Sequence, residues 1–211
     1  MDKKMYSQPL SLRSVQVSDA FWKQEMELVR KEVIPYQWEA LNDRVEGAAP
    51  SYAMRNFRVA AKKNQERKEL GAAFQGFETL SEEQDSLEDR FYGCVFQDSD
   101  FSKWIEAVGY SLNQHPDPEL ERIADGAIDL VCAAQQEDGY LDTYYIINGK
   151  NKIFTNLRDH HELYCMGHLI EGAVAYYEAT GKDKLLKAAA RFADYAAAHF
   201  GTEEGLSLIH I

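Results

Sequence analysis

The chain has 211 residues, of which 45% are hydrophobic, and this is enough for one domain with a buried core. Its formal net charge of −12 opposes binding to nucleic acid and to anionic membrane surfaces, so we expect neither as a partner. No apolar run predicts a membrane span or a signal core, and the three cysteines form no CxxC pair, which favours free thiols in the cytoplasm.

The N-terminal part of the sequence predicts a short strand followed by two helices. Loose alternation of apolar residues indicates the strand within residues 10–17. The Ser-Asp pair at residues 18–19 offers N-caps for the first helix. Because a proline disfavours helical geometry in the residue before it, we expect this helix to end at Ile34. A corner at Pro35 then leads into a second helix through Leu41.

A charged, weakly periodic stretch follows at residues 62–90, and we interpret it as a surface insertion. Residues 91–97 predict an extended segment. Asp98 or Ser99 is then placed to cap the next helix.

Two helical hairpins make up the second half of the chain. The first pairs a helix from Phe101, ending before Pro116, with a partner at residues 118–136. The apolar stripe of its first helix comprises Phe101, Trp104, Ile105, Val108 and Leu112, and that of its partner Leu120, Ile123, Ala127, Ile128 and Val131. The same pattern recurs later, with Trp104-Ile105-Glu106-Ala107 matching Leu169-Ile170-Glu171-Gly172. The sequence therefore predicts an all-α fold built from repeated hairpins.

Polar and aromatic side chains cluster at one end of this predicted array. The long loop at residues 135–159 holds three tyrosines, and loops at one end of a repeat often carry a ligand site. Asp98 and Asp100 precede a helix, where capping and a site role explain them equally well. Tyr140 or Tyr144 could stack on a sugar or cover the hairpin end.

A histidine-rich helix lies at residues 160–181. His161, Cys165 and His168 are spaced by about one turn each and could meet a metal ion. We favour the structural alternative, in which His168 is a hydrogen-bonded core residue, Cys165 a small buried one and His161 a polar residue at the helix start. Glu162 should point away from the face that carries His161.

Several long motifs, in order, resemble the N-terminal part of the β-L-arabinofuranosidases of glycoside hydrolase family 127. They are FWKQEMELVRKEVIPYQWEALND, NFRVAA, FYGCVFQDSDFSKWIEAVGYSL, AAQQEDGYLDTYY and HELYCMGHLIEGAVAYYEATG. The resemblance implies about half of an (α/α)6 barrel in an exo-acting, retaining enzyme that releases terminal L-arabinofuranose. It also implies a zinc-held cysteine nucleophile, with the zinc ligands and catalytic glutamates downstream of Gly205, so we assign no catalytic residue and no metal ligand to this chain.

The same resemblance implies that His161 contacts the sugar, and Asp98, Asp100 and Tyr144 are weaker candidates for substrate binding. It further implies a carbohydrate partner and a possible homodimer. Another α/α-barrel glycosidase, a sugar epimerase and a non-enzymatic helical-repeat binding module are the alternatives. A half barrel would leave inward faces near His168 and Gly172 exposed, so we expect the isolated chain to be inactive.

We divide the chain into an N-terminal strand segment at residues 1–17, a partial barrel at residues 18–205 and a tail at residues 206–211. The tail Leu-Ser-Leu-Ile-His-Ile is also the translation of a sequencing-library adapter. We therefore interpret it as an artefact and exclude it from the fold.

Overall fold

A computed structural model describes residues 10–70 and 89–201 of the chain. Within these ranges the fold is helical. The α-helices are α1 (Ala20–Leu28), α2 (Ile34–Leu41), α3 (Ala53–Leu70), α4 (Asp98–Gln114), α5 (Pro118–Ala134), α6 (Thr143–Asn148), α7 (Glu162–Thr180) and α8 (Lys184–Ala197). No helix of the described ranges is both long and apolar enough to cross a lipid bilayer.

The strand predicted at residues 10–17 is wrong, because this segment contains a 3-10 turn at Leu12–Ser14. Its polar groups are bound by helix ends instead of by a neighbouring strand. The Arg13 guanidinium donates to the carbonyl of Ala179, and the side-chain amide of Gln114 donates to the carbonyl of Val15. The segment therefore lies across the C-terminal ends of α4 and α7.

The predicted corner at Pro35 is also wrong. Ile34 is helical, with φ −61° and ψ −48°, and α1 continues into α2 through a π-helical turn at Val29–Val33. In this turn the Ile34 N–H donates to the carbonyl five residues back, where an α-helix would use the fourth. The wider turn removes the clash that a proline ring makes with the fourth preceding carbonyl, so the helix passes through Pro35 unbroken.

Helix α3 occupies the first part of the stretch at residues 62–90, where the sequence predicts a surface insertion. This part of the prediction is wrong, and residues 71–88 lie outside the described residues. Several polar side chains on α3 are buried, so the apolar stripe that normally identifies a helix is not visible in its sequence. Asn64, for example, is 4% exposed and donates to the carbonyls of Ala133 and Gln135 at the C-terminal end of α5.

The hairpin repeat is confirmed, and it forms two layers of helices. Helices α2, α4 and α7 pack side by side in one layer, and α3, α5 and α8 pack in the other. The apolar stripe of α4 faces the core between the layers, where all five of its residues are buried. Trp104 stacks on Trp38 at 4.5 Å and donates from its ring N–H to the carbonyl of Ile34.

Helices α4 and α7 run parallel and pack unusually closely at two glycines. A Cβ on Gly109 would lie 2.7 Å from the carbonyl carbon of Ala175. A Cβ on Gly172 would lie 2.6 Å from the carbonyl oxygen of Ser102 and 2.7 Å from Cγ2 of Ile105. Gly172 is therefore buried, which corrects the expectation that a half barrel leaves this position exposed. The parallel packing brings the N-termini of both helices to the same end of the molecule.

Candidate functional site

Asp98 joins the start of α4 to α6. The predicted N-cap role for Asp98 or Ser99 is wrong, because Gln97 occupies the N-cap position and α4 begins at Asp98. The carboxylate of Asp98 turns inward, where it accepts hydrogen bonds from the backbone N–H of Thr143 at 2.7 Å and from its hydroxyl at 2.5 Å. At 6% exposure, Asp98 positions α6 below the surface on which a ligand would lie.

Two further carboxyl groups are buried near Asp98. Asp142 caps α6 by accepting from the N–H of Tyr145, and its other oxygen, Oδ2, has no hydrogen-bond partner. Burial raises the pKa of Asp142 well above its usual range, and the charges of Asp98 and Glu162 add to the rise. Burial also raises the pKa of Asp98 to about 6, although the Thr143 hydrogen bonds oppose it. Burial therefore favours the protonated form of both Asp98 and Asp142.

Glu162 holds the loop that leads into α7. It is fully buried at the first position of the helix, away from the His161 ring as predicted. Its carboxylate accepts from the hydroxyl of Tyr140 at 2.7 Å and from the backbone N–H of Phe154 at 2.9 Å. Burial raises its pKa, and these two hydrogen bonds oppose the rise. Sequence reasoning assigned no role to Glu162, because its partners lie in an irregular loop.

His161 lies at the surface directly before α7. Its backbone is left-handed, with φ 58°, an unfavourable conformation for a residue that carries a Cβ. The ring Nδ1 lies 2.8 Å from the carbonyl of Asp159. The ring centroid lies 5.4 Å from that of Phe96 and 5.8 Å from that of Tyr164. One ring nitrogen is therefore bound locally, and the ring has aromatic neighbours from the turn before α4 and from α7.

Tyr144 and His160 form a second group of rings beside His161. Tyr144 is half-buried and makes edge contacts with Phe91 and His160, each at 5.2 Å between centroids. His160 is itself fixed, because its Nδ1 lies 2.6 Å from the hydroxyl of Tyr145. His160 was not among the candidate site residues predicted from the sequence, although it directly precedes His161.

The rings around His161 and Tyr144, together with two charged side chains of α4, form a surface that we call the mouth. It comprises Phe91, Phe96, Asp100, Lys103, Tyr144, His160, His161 and Tyr164. Asp100 is half-buried and accepts from the side-chain amide of Gln97 at 2.6 Å. Burial raises the pKa of Asp100, and the Lys103 ammonium opposes the rise. Lys103 donates to the hydroxyl of Tyr164 at 2.9 Å. Ring faces next to hydrogen-bonding groups of both polarities suit a neutral ligand rich in hydroxyl groups.

The cysteines in the described residues do not fit the zinc-bound thiolate that the family resemblance implies. Such a thiolate needs a lowered pKa. Burial instead raises the pKa of Cys132 to about 11, and it also raises the pKa of the buried Cys165. Cys94 is exposed. His168 departs from the predicted role of a hydrogen-bonded core residue. Its side chain is partly buried, and its Nδ1, which makes no hydrogen bond, lies 3.1 Å from a carboxylate oxygen of Glu171.

The raised pKa of Asp98 predicts that stability falls as the pH rises from about 4 to 7. The folded state retains a proton on this acid where the unfolded state has lost it, so raising the pH favours unfolding. We expect Tm to fall by at least ~4 °C, since ~1 kcal/mol shifts Tm by roughly 2–4 °C in a chain of this size. Calorimetry across this pH range should show a shallower slope for Asp98→Asn. The exposed control Glu137→Gln should keep the original slope, and equal slopes for both variants would contradict the prediction.

Comparison with known proteins identifies relatives of the whole described array. The family model for the β-L-arabinofuranosidase catalytic domain of glycoside hydrolase family 127 matches residues 14–209. A non-reducing end β-L-arabinofuranosidase from Bifidobacterium longum subsp. longum is 40% identical over 208 residues, which cover 91% of this chain and 28% of that protein. The crystal structure of a family 127 β-L-arabinofuranosidase from Geobacillus stearothermophilus T6 is 51% identical, with a TM-score of 0.77. It matches 91% of this chain and 27% of its own. A further family 127 β-arabinofuranosidase structure is 30% identical, with a TM-score of 0.73 over 95% of this chain and 28% of its own.

These matches and the two-layered array place the fold among the α/α-barrel glycoside hydrolases, of which the chain spans a part. Within that class, the chain belongs to the family of β-L-arabinofuranosidase catalytic domains, glycoside hydrolase family 127. It spans little more than a quarter of the length of these relatives. The predicted fold class and family are therefore confirmed.

Proposed function

We propose that this chain forms part of the sugar-binding end of an exo-acting glycosidase that releases L-arabinofuranose from β-L-arabinofuranosides. The observation that carries the proposal is the mouth, where His161 directly precedes α7 and Tyr144 contacts the ring of the neighbouring His160. The family relatives that share this array have names that specify the same sugar.

The role of this chain in that activity is to bind and orient the sugar. The imidazole of His161 is placed to hydrogen-bond a ligand hydroxyl, and the nearby rings cover the apolar face of a furanose. Asp98 and Glu162 act from below by fixing α6 and the loop before α7. The zinc that the resemblance implies would hold a cysteine as its nucleophilic thiolate, and we propose that the zinc ligands lie beyond Gly205. A cytoplasmic location and homodimer formation stay predictions.

A chimera tests the proposal directly. Residues 14–205 of this chain replace the matching part of the Geobacillus enzyme, and release of arabinose is measured with an aryl β-L-arabinofuranoside. Because the two proteins are 51% identical here, we expect the chimera to fold and to keep kcat/KM within ~10-fold of the parent, a difference of about 1.4 kcal/mol.

Aryl glycosides of other pentoses and hexoses serve as controls for sugar specificity. A chimera that unfolds at the same temperature as the parent but has no arabinofuranosidase activity would contradict the proposal. A preference for a different sugar would favour another α/α-barrel glycosidase.

A further inference from the structure

A second group of ligating side chains lies within the crossing of α4 and α7, about one helical turn beyond the mouth residues Lys103 and Tyr164. It comprises Glu106 on α4 with His168 and Glu171 on α7, and one ligand atom from each lies within 4.8 Å of the others. Glu106 is eight residues after the start of α4 at Asp98. At 1.5 Å per residue, this places it ~12 Å along the helix from Asp98 and ~4.5 Å beyond the mouth residue Lys103.

The backbone geometry of the crossing holds these three residues together. His168 and Glu171 are three residues apart, so their side chains share one face of α7. Glu106 is the residue of α4 that corresponds to Glu171 in the hairpin repeat. Because the neighbouring Gly172 has no side chain, the backbones of α4 and α7 approach so closely that a Cβ at this position would clash. The arrangement therefore does not depend on flexible surface loops.

Contacts around the group hold Glu106 and His168, and one ring nitrogen of His168 faces the Glu171 carboxylate. Tyr110 donates to a carboxylate oxygen of Glu106 at 2.7 Å, and the ring of Tyr164 packs edge-on against His168 at 4.5 Å. The Nδ1 of His168 is shielded from solvent and makes no hydrogen bond, yet it lies 3.1 Å from a carboxylate oxygen of Glu171. Two ligands that each bind a zinc ion at ~2.1 Å lie about 3.0–3.4 Å apart, which matches this separation.

We propose that Glu106, His168 and Glu171 bind one divalent transition-metal ion of the zinc type, which links α4 to α7. An imidazole with two carboxylates favours zinc and its neighbours over calcium and magnesium, which prefer ligand sets made wholly of oxygen. The ion offsets the two negative charges, and water completes its coordination. The proposal does not rest on the proposed function.

Isothermal titration of the 211-residue chain with ZnCl2 tests the proposal. We expect one zinc ion per chain and a zinc-dependent rise in Tm. The variants Glu106→Gln, His168→Phe and Glu171→Gln keep the side-chain shapes and should each weaken zinc binding at least ~10-fold, because even residues that only support a metal ligand contribute that much. Far-UV circular dichroism without metal checks that each variant keeps its helix content.

Matched controls separate this site from incidental zinc binding. Glu178→Gln removes another exposed carboxylate of α7, and His115→Ala removes a histidine that lies 3.7 Å from the Glu27 carboxylate. Cys94→Ser removes the exposed thiol. All three should bind zinc as the parent chain does. Absence of zinc binding, binding that survives the ligand variants, or binding lost in Cys94→Ser would overturn the proposal, and none of these results depends on glycosidase activity.

Discussion

Gly172→Ala is expected to lower the free energy of unfolding by about 3 kcal/mol, the upper range for an added methyl group in a packed core. The new Cβ would lie 2.6 Å from the carbonyl oxygen of Ser102. Backbone atoms cannot rotate away as a flexible side chain can, so α4 and α7 must separate and lose contacts along their whole crossing. Urea denaturation followed by circular dichroism measures the change.

Gly167→Ala is the matched control on the same helix. No atom lies within 4 Å of a Cβ built on Gly167, so this substitution should raise the free energy of unfolding by up to about 1 kcal/mol, because alanine favours the helix. The two variants are thus expected to act in opposite directions. Equal effects of the same sign would show that α4 and α7 do not cross as closely as described.

His161→Gly in the chimera is expected to lower kcat/KM by ~10–100-fold. This corresponds to about 1.4–2.7 kcal/mol, which is the range for one lost hydrogen bond at a binding site. The substitution removes the ring that faces Phe96 and Tyr164. Glycine accepts a φ of 58° without strain, so stability should not fall with activity. Kinetics with the aryl arabinofuranoside and a thermal melt of the same sample measure the two effects separately.

Two further variants make this test specific. His161→Asn tolerates the left-handed backbone and keeps a hydrogen-bond donor, so it should recover part of the lost activity. His115→Ala removes an exposed histidine at the C-terminal end of α4 and should leave kcat/KM unchanged. Full activity in His161→Gly would remove this residue from the sugar site.

The sequence predicts the parts of the fold that local periodicity determines. In α4, Trp104, Ile105 and Val108 recur at helical spacing, and all three are buried as that spacing requires. The match between the two hairpins is visible for the same reason. Repeated side-chain patterns reflect repeated packing, so the residue pattern alone is enough to locate both hairpins.

Other features depend on partners that are distant in the chain. From its neighbours in the sequence, Asp98 is predicted to cap a helix. The hydrogen bonds from Thr143, 45 residues away, instead hold its carboxylate in the interior. Glu162 is buried because Tyr140 and Phe154 donate to it, and neither donor belongs to a regular pattern. Pro35 would normally end a helix, but the preceding π-helical turn accommodates its ring. For Asp98 and Glu162, contacts between distant residues override the pattern that local rules predict, whereas at Pro35 the departure comes from the irregular turn directly before it.

Two attachments fix the loop at residues 149–161, and they have an evolutionary consequence. Glu162 binds Phe154 near the middle of this loop, and Tyr145 binds His160 at its end. Leu157, Arg158 and Asp159, which lie between these two attachments, are exposed. Substitutions at these three positions should leave the helices undisturbed, so selection can vary this segment while the scaffold stays constant.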